Sequence, residues 1–209
     1  MSKIYLVRHG ETDWNKEDRC QGCIDTDLNS VGIRQAELVA ERLLREEIHV
    51  IYCSNLKRAY RTAQIIAEKT GLNVIKSEAL NEISFGEWEG LTFEEIRKRN
   101  DYDYNTWRLS PHTAVFPGEG SLDKVYNRVM KYVDEIIIRN SGKNILIVSH
   151  GGVIKLIILG LLGIGLEAYN KFYIANTSVS IVHIDKDKRY LRTLNDTCHV
   201  GSVLERKNY

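Results

Sequence analysis

Residues 4–12 of the chain read IYLVRHGET, an apolar run that stops at an arginine, a histidine and a glycine. The run Ile4–Val7 is typical of a buried strand, because β-branched and aliphatic residues follow one another without interruption. Far downstream, residues 145–151 read ILIVSHG, so a second apolar run also ends in His-Gly. Polar groups at the ends of two buried strands predict a functional site at one edge of a sheet.

Strands and helices alternate along much of the chain. Short apolar runs predict further strands at Val50–Cys53, Val74–Lys76 and Ile145–Val148. Helical spacing predicts helices from a cap at Ser30 to about Glu46, from Leu56 to a stop at Gly71, and from Ser121 to Asn140. The first of these helices is expected to bury Ile33, Ala36, Val39, Ala40 and Leu43. The pattern predicts an α/β fold, a three-layer sandwich whose mostly parallel central sheet is flanked by helices.

Two segments depart from this alternation. Thr177–Asp185 and Tyr190–Asn195, separated by the polar residues 186–189, predict a closing pair of strands. The stretch from about residue 80 to about residue 120 predicts a small helical or loop insertion over the active site. Its aromatic residues are expected to form the core of the insertion or the wall of a pocket: Trp88, Tyr102, Tyr104 and Trp107. We expect residues 1–209 to form a single domain, since this length suits one hydrophobic core.

The composition excludes several classes of protein. A formal net charge of +1 argues against a general nucleic-acid binder. The longest apolar run, Val153–Gly165, is interrupted by Lys155 and is too short to span a bilayer, which predicts a buried helix and no membrane partner. The four cysteines are too few for a disulfide scaffold, and the first residues lack the pattern of a signal peptide. These features predict a cytoplasmic protein, and a homodimer is compatible with them.

Polar side chains follow four of the predicted strands. Arg8 and His9 end the first strand, Arg58 follows the second, Glu82 follows the third, and His150 ends the fourth. Ligands of open α/β sheets gather at the carboxyl ends of the strands, so these groups are expected to converge. The N-terminus of a helix starting at Gly151 adds free N–H groups that favour an anion. The predicted ligand is the phosphoryl group of a small-molecule phosphate monoester.

The residue types indicate a phosphoryl transfer. Arg8 and Arg58 can hold phosphate oxygens and stabilise the charge that develops on them. A neutral His9 can attack phosphorus to form a phosphohistidine, while Glu82 protonates the departing oxygen and then activates water. His150 can stabilise the remaining phosphate oxygens. The reaction requires no cofactor and no metal, because arginine and histidine supply the positive charge.

The motifs in these positions strongly resemble those of the histidine phosphatase superfamily, and the resemblance covers nearly the whole chain. Its parts lie in order at Leu6–Asn15 (LVRHGETDWN), Gln21–Ala36, Ser54–Ile65, Leu80–Gly90 and Val148–Ile154 (VSHGGVI). The resemblance implies that His9 is the phosphorylated nucleophile, that Glu82 is the acid and base, and that Arg8, Arg58 and His150 form the phosphate pocket. It also implies that Asn15, Gln21 and Gly22 line the substrate side.

The resemblance favours a phosphatase over a phosphoglycerate mutase. Mutases of this type resemble one another in a basic run after the catalytic glutamate, whereas Glu82 is followed by Ile83–Gly90 (ISFGEWEG), which adds acid instead. The segment FPGEGS at 116–121 is similar to that of alpha-ribazole phosphatases of cobalamin synthesis and of broad-specificity relatives. The usual PGGES pattern is altered here to PGEGS, which leaves the role of Glu119 open. The preferred substrate is alpha-ribazole 5'-phosphate, with a broad-specificity phosphatase and then a mutase as alternatives.

Two further interpretations come from other classes of protein. Cys20 and Cys23 form a CxxC pair, which suits a redox pair or half of a zinc site, although no second pair is present in the sequence. Two incidental thiols beside a substrate loop explain the pair more simply. A binding module that reads a phosphorylated partner without catalysis is the other alternative, and such a module usually loses the nucleophile or the acid.

Overall fold

The structure is a computed structural model, which describes residues 2–185 and 188–201. Its centre is a sheet of six strands in the order β3-β2-β4-β1-β5-β6. The strands are β1 (Ser2–Arg8), β2 (Val50–Ser54), β3 (Val74–Ser77), β4 (Ile145–Ser149), β5 (Val179–Asp185) and β6 (Lys188–Asp196). The first four pair in parallel, whereas β5 is antiparallel to β1 and to β6. The predicted α/β fold and the closing pair of strands are confirmed.

The register of the central strands positions the two His-Gly motifs. Arg8 of β1 lies opposite Ser149 of β4, and the His9 N–H donates to the Ser149 carbonyl at 2.9 Å. His9 and His150 therefore leave the same edge of the sheet side by side.

The helices lie between the strands in sequence. They are α1 (Asp13–Lys16), α2 (Ser30–Leu43), α3 (Lys57–Thr70), α4 (Phe93–Arg99), α5 (Asp101–Leu109), α6 (Leu122–Arg139) and α7 (Gly151–Leu162). Helix α3 ends as predicted at Gly71, whose positive φ of 72° suits glycine. The predicted cap Ser30 is wrong: Asn29 caps α2, because its Oδ1 accepts from the Gly32 N–H at 2.8 Å. This helix also ends at Leu43 rather than near Glu46.

Helices cover both faces of the sheet. Tyr5 and Val7 of β1 pack with α2 and α3 on one face, while Ile4 and Leu6 pack with α6 and α7 on the other. This alternation follows from the period of two along a strand. Ile33, predicted to be buried in α2, is 38% exposed. Gly32 takes the inward position of this first turn, because the loop after β1 passes too close for a side chain there. Gln35 faces inward in the next turn, where its Oε1 accepts from the Glu11 N–H.

The segment between β3 and α6 contains α4 and α5. Phe85, Trp107 and Phe116 pack there in mutual ring contact, with centroids 5.0 to 5.3 Å apart. Tyr102, expected among the aromatic residues of this segment, is instead 79% exposed. The description of the segment as an insertion within a single domain of residues 1–209 stays a prediction. Part of that predicted domain, residues 1, 186–187 and 202–209, lies outside the described part of the chain.

The apolar run after His150 forms α7, which is largely buried as predicted. Across residues 2–185 and 188–201, no helix has both the length and the apolar character needed to cross a membrane.

Candidate active site

His9 lies just past the end of β1 and is almost completely buried. Its Nδ1 donates to the Gly10 carbonyl at 2.7 Å, which leaves the lone pair of the neutral ring on Nε2. Burial, followed by the charges of Arg58 and Arg8, holds the pKa of His9 well below its usual range. The imidazole is therefore neutral at physiological pH and has a nitrogen available for nucleophilic attack.

Two arginines supply positive charge beside His9. Arg58 is fully buried in α3, and its Nη1 and Nη2 donate to the carbonyls of Ile24 and Gly22 at 2.8 and 2.7 Å. Arg8 Nη1 donates to the Ile174 carbonyl at 2.8 Å. Burial lowers the pKa of Arg58 to about 10, so its guanidinium stays charged at neutral pH. Chain carbonyls thus orient both side chains without neutralising them.

The Nε atoms of both arginines are buried. Within the described residues, Arg8 Nε and Arg58 Nε are buried and make no hydrogen bond. Buried donors of this kind are normally satisfied, so two of them beside His9 indicate a site for an anion. Gly151, the first residue of α7, borders the same site, since a Cβ built on it lies 3.5 Å from Arg8 Nε.

His150 faces His9 across the site, with ring centroids 5.2 Å apart. The Ser54 hydroxyl donates to Asn81 Oδ1 at 2.7 Å, so its oxygen must accept from His150 Nε2, which lies 2.8 Å away. The proton of the neutral ring is thereby held on Nε2, and Nδ1 is buried without a partner in the described part of the chain. Burial and the charge of Arg58 keep the pKa of His150 well below its usual range. His150 can therefore donate from Nδ1 to an anion only after it gains a proton.

Glu82 approaches the N-terminus of α7 from the loop after β3. Its Oε2 accepts from the Gly152 N–H at 3.3 Å and its Oε1 from the Ile83 N–H at 3.0 Å. A Cβ on residue 152 would lie 2.7 Å from Glu82 Oε1 and 2.8 Å from the Tyr169 hydroxyl, so glycine makes room for both. Tyr169 is buried among these groups, and sequence reasoning missed it because no motif marks it.

The predicted substrate-side residues have different environments. The Gly22 carbonyl holds Arg58, whereas Gln21 Oε1 accepts from the hydroxyls of Thr12 and Thr26 at 3.0 and 2.6 Å. Asn15 Oδ1 accepts from Asn176 Nδ2 at 3.2 Å, and Asn176 also donates to the His9 carbonyl. The structure brings these residues close to the His9 loop, and their contact with a substrate stays a prediction.

A further cation lies at this edge. Lys155 Nζ lies 4.9 Å from the centroid of the Tyr169 ring and 3.5 Å from Asn170 Oδ1. Burial, followed by the charge of Arg8, lowers the pKa of Lys155 to about 8. Among the described residues no carboxylate forms an ion pair with it. In the sequence, Lys155 stands out only as an interruption of an apolar run.

The cysteine pair does not form a disulfide. Cys20 and Cys23 are free thiols, and the Cys23 thiol donates to the Glu82 carbonyl at 3.3 Å. Burial raises the pKa of Cys20 to about 12 and that of Cys23 to about 11, so both thiols stay protonated and weakly reactive. In the part of the chain that the structure covers, no group of three or more His, Cys, Asp or Glu side chains is placed to hold a metal.

Comparison with known proteins identifies the family. Residues 4–197 match the histidine phosphatase superfamily (branch 1). Phosphoserine phosphatase 1 of Hydrogenobacter thermophilus is 40% identical over 201 residues, covering 96% of this chain and 95% of that protein. Phosphoglycerate mutase-like protein 4 of Arabidopsis thaliana is 39% identical over 204 residues, covering 95% of this chain and 87% of that protein.

A solved structure shares the fold. It is that of an Escherichia coli protein proposed to be an alpha-ribazole-5'-P phosphatase, with a TM-score of 0.85 and 29% identity. The match covers 93% of this chain and 96% of that chain. Together the comparisons confirm the family and the class of enzyme that the motifs predicted.

Proposed function

Because the chain belongs to the histidine phosphatase superfamily, we propose that it hydrolyses phosphate monoesters without a metal, through a phosphohistidine at His9. One observation carries the proposal: among the described residues, Arg8 Nε, Arg58 Nε and His150 Nδ1 are buried without partners around a neutral imidazole. A phosphoryl group satisfies all three at once, provided that His150 is protonated in the complex.

In the first step the lone pair on His9 Nε2 attacks phosphorus, and the bond from phosphorus to the ester oxygen breaks. A protonated Glu82 gives its proton to that oxygen, so that a neutral alcohol leaves. The Gly10 carbonyl, which accepts from His9 Nδ1, stabilises the positive charge that forms on the ring. Arg8, Arg58 and protonated His150 stabilise the phosphoryl oxygens.

In the second step the Glu82 carboxylate takes a proton from water. The water oxygen attacks phosphorus and the bond between phosphorus and His9 Nε2 breaks, which releases phosphate and restores the protonated carboxyl. Glu82 thus serves as acid and then as base, and no proton is lost over the cycle.

For the substrate, we infer a small phosphomonoester that also carries a carboxylate, with phosphoserine as the first compound to test. Lys155 supports this inference, because its half-buried ammonium has no carboxylate partner in the described chain and lies near Glu82. The similarity to a phosphoserine phosphatase points the same way.

Two alternatives remain under test. The first is alpha-ribazole 5'-phosphate, the substrate that the PGEGS segment favours, and similarity to the Escherichia coli protein supports it. The mutase is less favoured, because the run after Glu82 is acidic, and its Glu89 accepts from the N–H groups of Cys23 and Phe85. A cytoplasmic location and a homodimer also stay predictions, which fractionation and sedimentation would test.

The decisive assay is hydrolysis of p-nitrophenyl phosphate in EDTA. The wild type should hydrolyse this ester, and His9→Ala should lower kcat at least about 10³-fold, because nucleophilic attack is removed. Absence of wild-type turnover, or full activity in the variant, would overturn the proposal.

A substrate panel then separates the alternatives. It compares kcat/KM for phosphoserine, alpha-ribazole 5'-phosphate and 3-phosphoglycerate, the last with and without added bisphosphoglycerate. Lys155→Met should raise the KM for phosphoserine about 10-fold, and more than the KM for p-nitrophenyl phosphate, since one charge-assisted contact is lost. The exposed Lys143→Met is the matched control. Equal effects of Lys155→Met on both substrates would remove the carboxylate inference.

A further inference from the structure

An ion pair joins Glu119 of the altered PGEGS segment to Arg128 of α6. Arg128 Nε and Nη2 donate to Glu119 Oε1 and Oε2 at 2.7 and 3.0 Å, which is a bidentate geometry. The side chains are only 27% and 22% exposed. Neither residue has a role in the chemistry described above.

The pair binds the backbone on both sides of Glu82. Glu119 Oε2 accepts from the Ser84 N–H at 3.1 Å, and the Glu119 N–H donates to the Ser84 carbonyl at 3.0 Å. On the other side, Arg128 Nη1 donates to the carbonyls of Ala79 and Asn81 at 2.9 and 3.1 Å. Glu82 is therefore held in a short loop that is tied down before and after it.

The same contacts extend toward His150. Asn81, whose carbonyl binds Arg128, accepts through Oδ1 from the Asn55 N–H at 2.9 Å and from the Ser54 hydroxyl. Ser54 Oγ in turn accepts from His150 Nε2. Asn81 thus joins the loop of the acid to Ser54, the residue that binds the ring opposite it.

Beyond these ties, Glu82 is held through its carbonyl, which accepts from the Cys23 thiol, and through its carboxylate. Its carboxylate accepts only backbone N–H groups, those of Ile83 and Gly152, among the described hydrogen bonds. Where the carboxyl lies therefore depends on where its backbone lies. A general acid must reach its proton acceptor within hydrogen-bond distance, and a displacement of about 1 Å can cost about 100-fold in rate.

We propose that Glu119 and Arg128 are positioning residues, which hold Glu82 at the distance needed to protonate the leaving group. The inference rests on the proposed function, because it assigns a support to the acid of that reaction. It also explains why a carboxylate at position 119 is useful in a PGEGS segment: the side chain binds Arg128 and Ser84.

The experiment uses leaving groups of different basicity. A p-nitrophenolate leaves without protonation, whereas the alkoxide of glycerol 2-phosphate needs the proton of Glu82. In EDTA, Arg128→Lys and Glu119→Gln should each lower kcat/KM for glycerol 2-phosphate by about 30-fold or more, since lysine lacks the fork that bridges Glu119 and the carbonyls. The value for p-nitrophenyl phosphate should fall less than about 3-fold.

Two references complete the design. Glu82→Gln, which removes the acid itself, gives the largest loss of kcat/KM for glycerol 2-phosphate relative to p-nitrophenyl phosphate that the positioning variants can approach. Arg139→Lys serves as the matched control, since Arg139 lies on the same helix and pairs with Glu135 at an exposed position. Equal losses on both substrates, or no loss on either, would overturn the positioning role.

Failure of this inference can be told apart from failure of the proposed function. If the wild type hydrolyses p-nitrophenyl phosphate and His9→Ala does not, the proposed function stands whatever the Arg128 variant does. Arg128→Lys and Glu119→Gln change the two different members of the ion pair. If one variant does not fold, the other still tests the positioning role.

Discussion

Replacing Ser54 by alanine should change the number of protons that the site takes up with an anion. In the wild type the Ser54 hydroxyl donates to Asn81, so neutral His150 must carry its proton on Nε2 and turn a lone pair toward the phosphate pocket. A dianion bound there faces a lone pair unless Nδ1 is protonated. Binding is therefore coupled to proton uptake.

Electrostatics is strong enough to drive this uptake. A dianion about 4 Å from an imidazolium gains about 8 kcal/mol at an effective dielectric constant of about 20. Every ~1.4 kcal/mol of this attraction shifts the equilibrium between neutral and protonated His150 tenfold toward the protonated ring. This attraction acts against burial, which holds the pKa of His150 well below its usual range.

The assay is calorimetry of tungstate binding at about pH 7.5, above the ordinary pKa of histidine, in buffers that differ in their enthalpy of ionisation. Tungstate is a dianion without a proton of its own to give. In Ser54→Ala, a water molecule can donate to Nε2 and leave the proton on Nδ1, so the neutral ring can bind the anion directly. The variant should take up about one proton fewer per tungstate than the wild type.

His9 also turns a lone pair toward the anion, so the total uptake reports both rings and only the difference isolates His150. As the pH rises, the affinity for tungstate should weaken in both proteins. The slope of log Kd against pH should be smaller by about one in Ser54→Ala than in the wild type. Ser141→Ala, at an exposed position, should behave as the wild type does. Equal proton uptake in Ser54→Ala and the wild type would refute the assignment of the His150 tautomer.

Three further outcomes are expected. Since burial depresses the pKa of His9 and His150, these two rings take up protons below about pH 6.5 in the unfolded chain but not in the folded one. Urea titrations without phosphate should therefore show that the free energy of unfolding decreases as the pH is lowered below this value, by up to about 1.4 kcal/mol per pH unit for each ring; a flat profile would contradict their burial as neutral groups. Gly152→Ala should lower kcat about 10-fold or more in a steady-state assay, because the added Cβ displaces the acid; unchanged kcat would contradict the crowding. Thiol titration of the native chain should find one fast group, the exposed Cys198, and two fast groups would contradict the protection of the other three: Cys20, Cys23 and Cys53.

Most of the sheet and the main helices follow from local pattern. The run Ile4–Val7 is uninterrupted because both faces of β1 are covered, so a continuous apolar signal was enough to predict it. The details of α2 were harder. Asn29 displaces Ser30 as the cap, and Ile33 turns outward, because the loop after β1 lies against Gly32. That close approach joins segments distant in sequence, and helical spacing does not report it.

The site divides in the same way. Arg8, His9 and His150 could be predicted from the amino-acid sequence, since each ends a strand or immediately follows one, and parallel strands end at a common edge. The partners of these side chains depend instead on contacts across long sequence separations. The tautomer of His150 is set by Ser54 and Asn81, and the loop of Glu82 is held by Arg128. A strand pattern records which groups reach the edge of the sheet, whereas their protonation and distance arise only when loops from several parts of the chain pack around them.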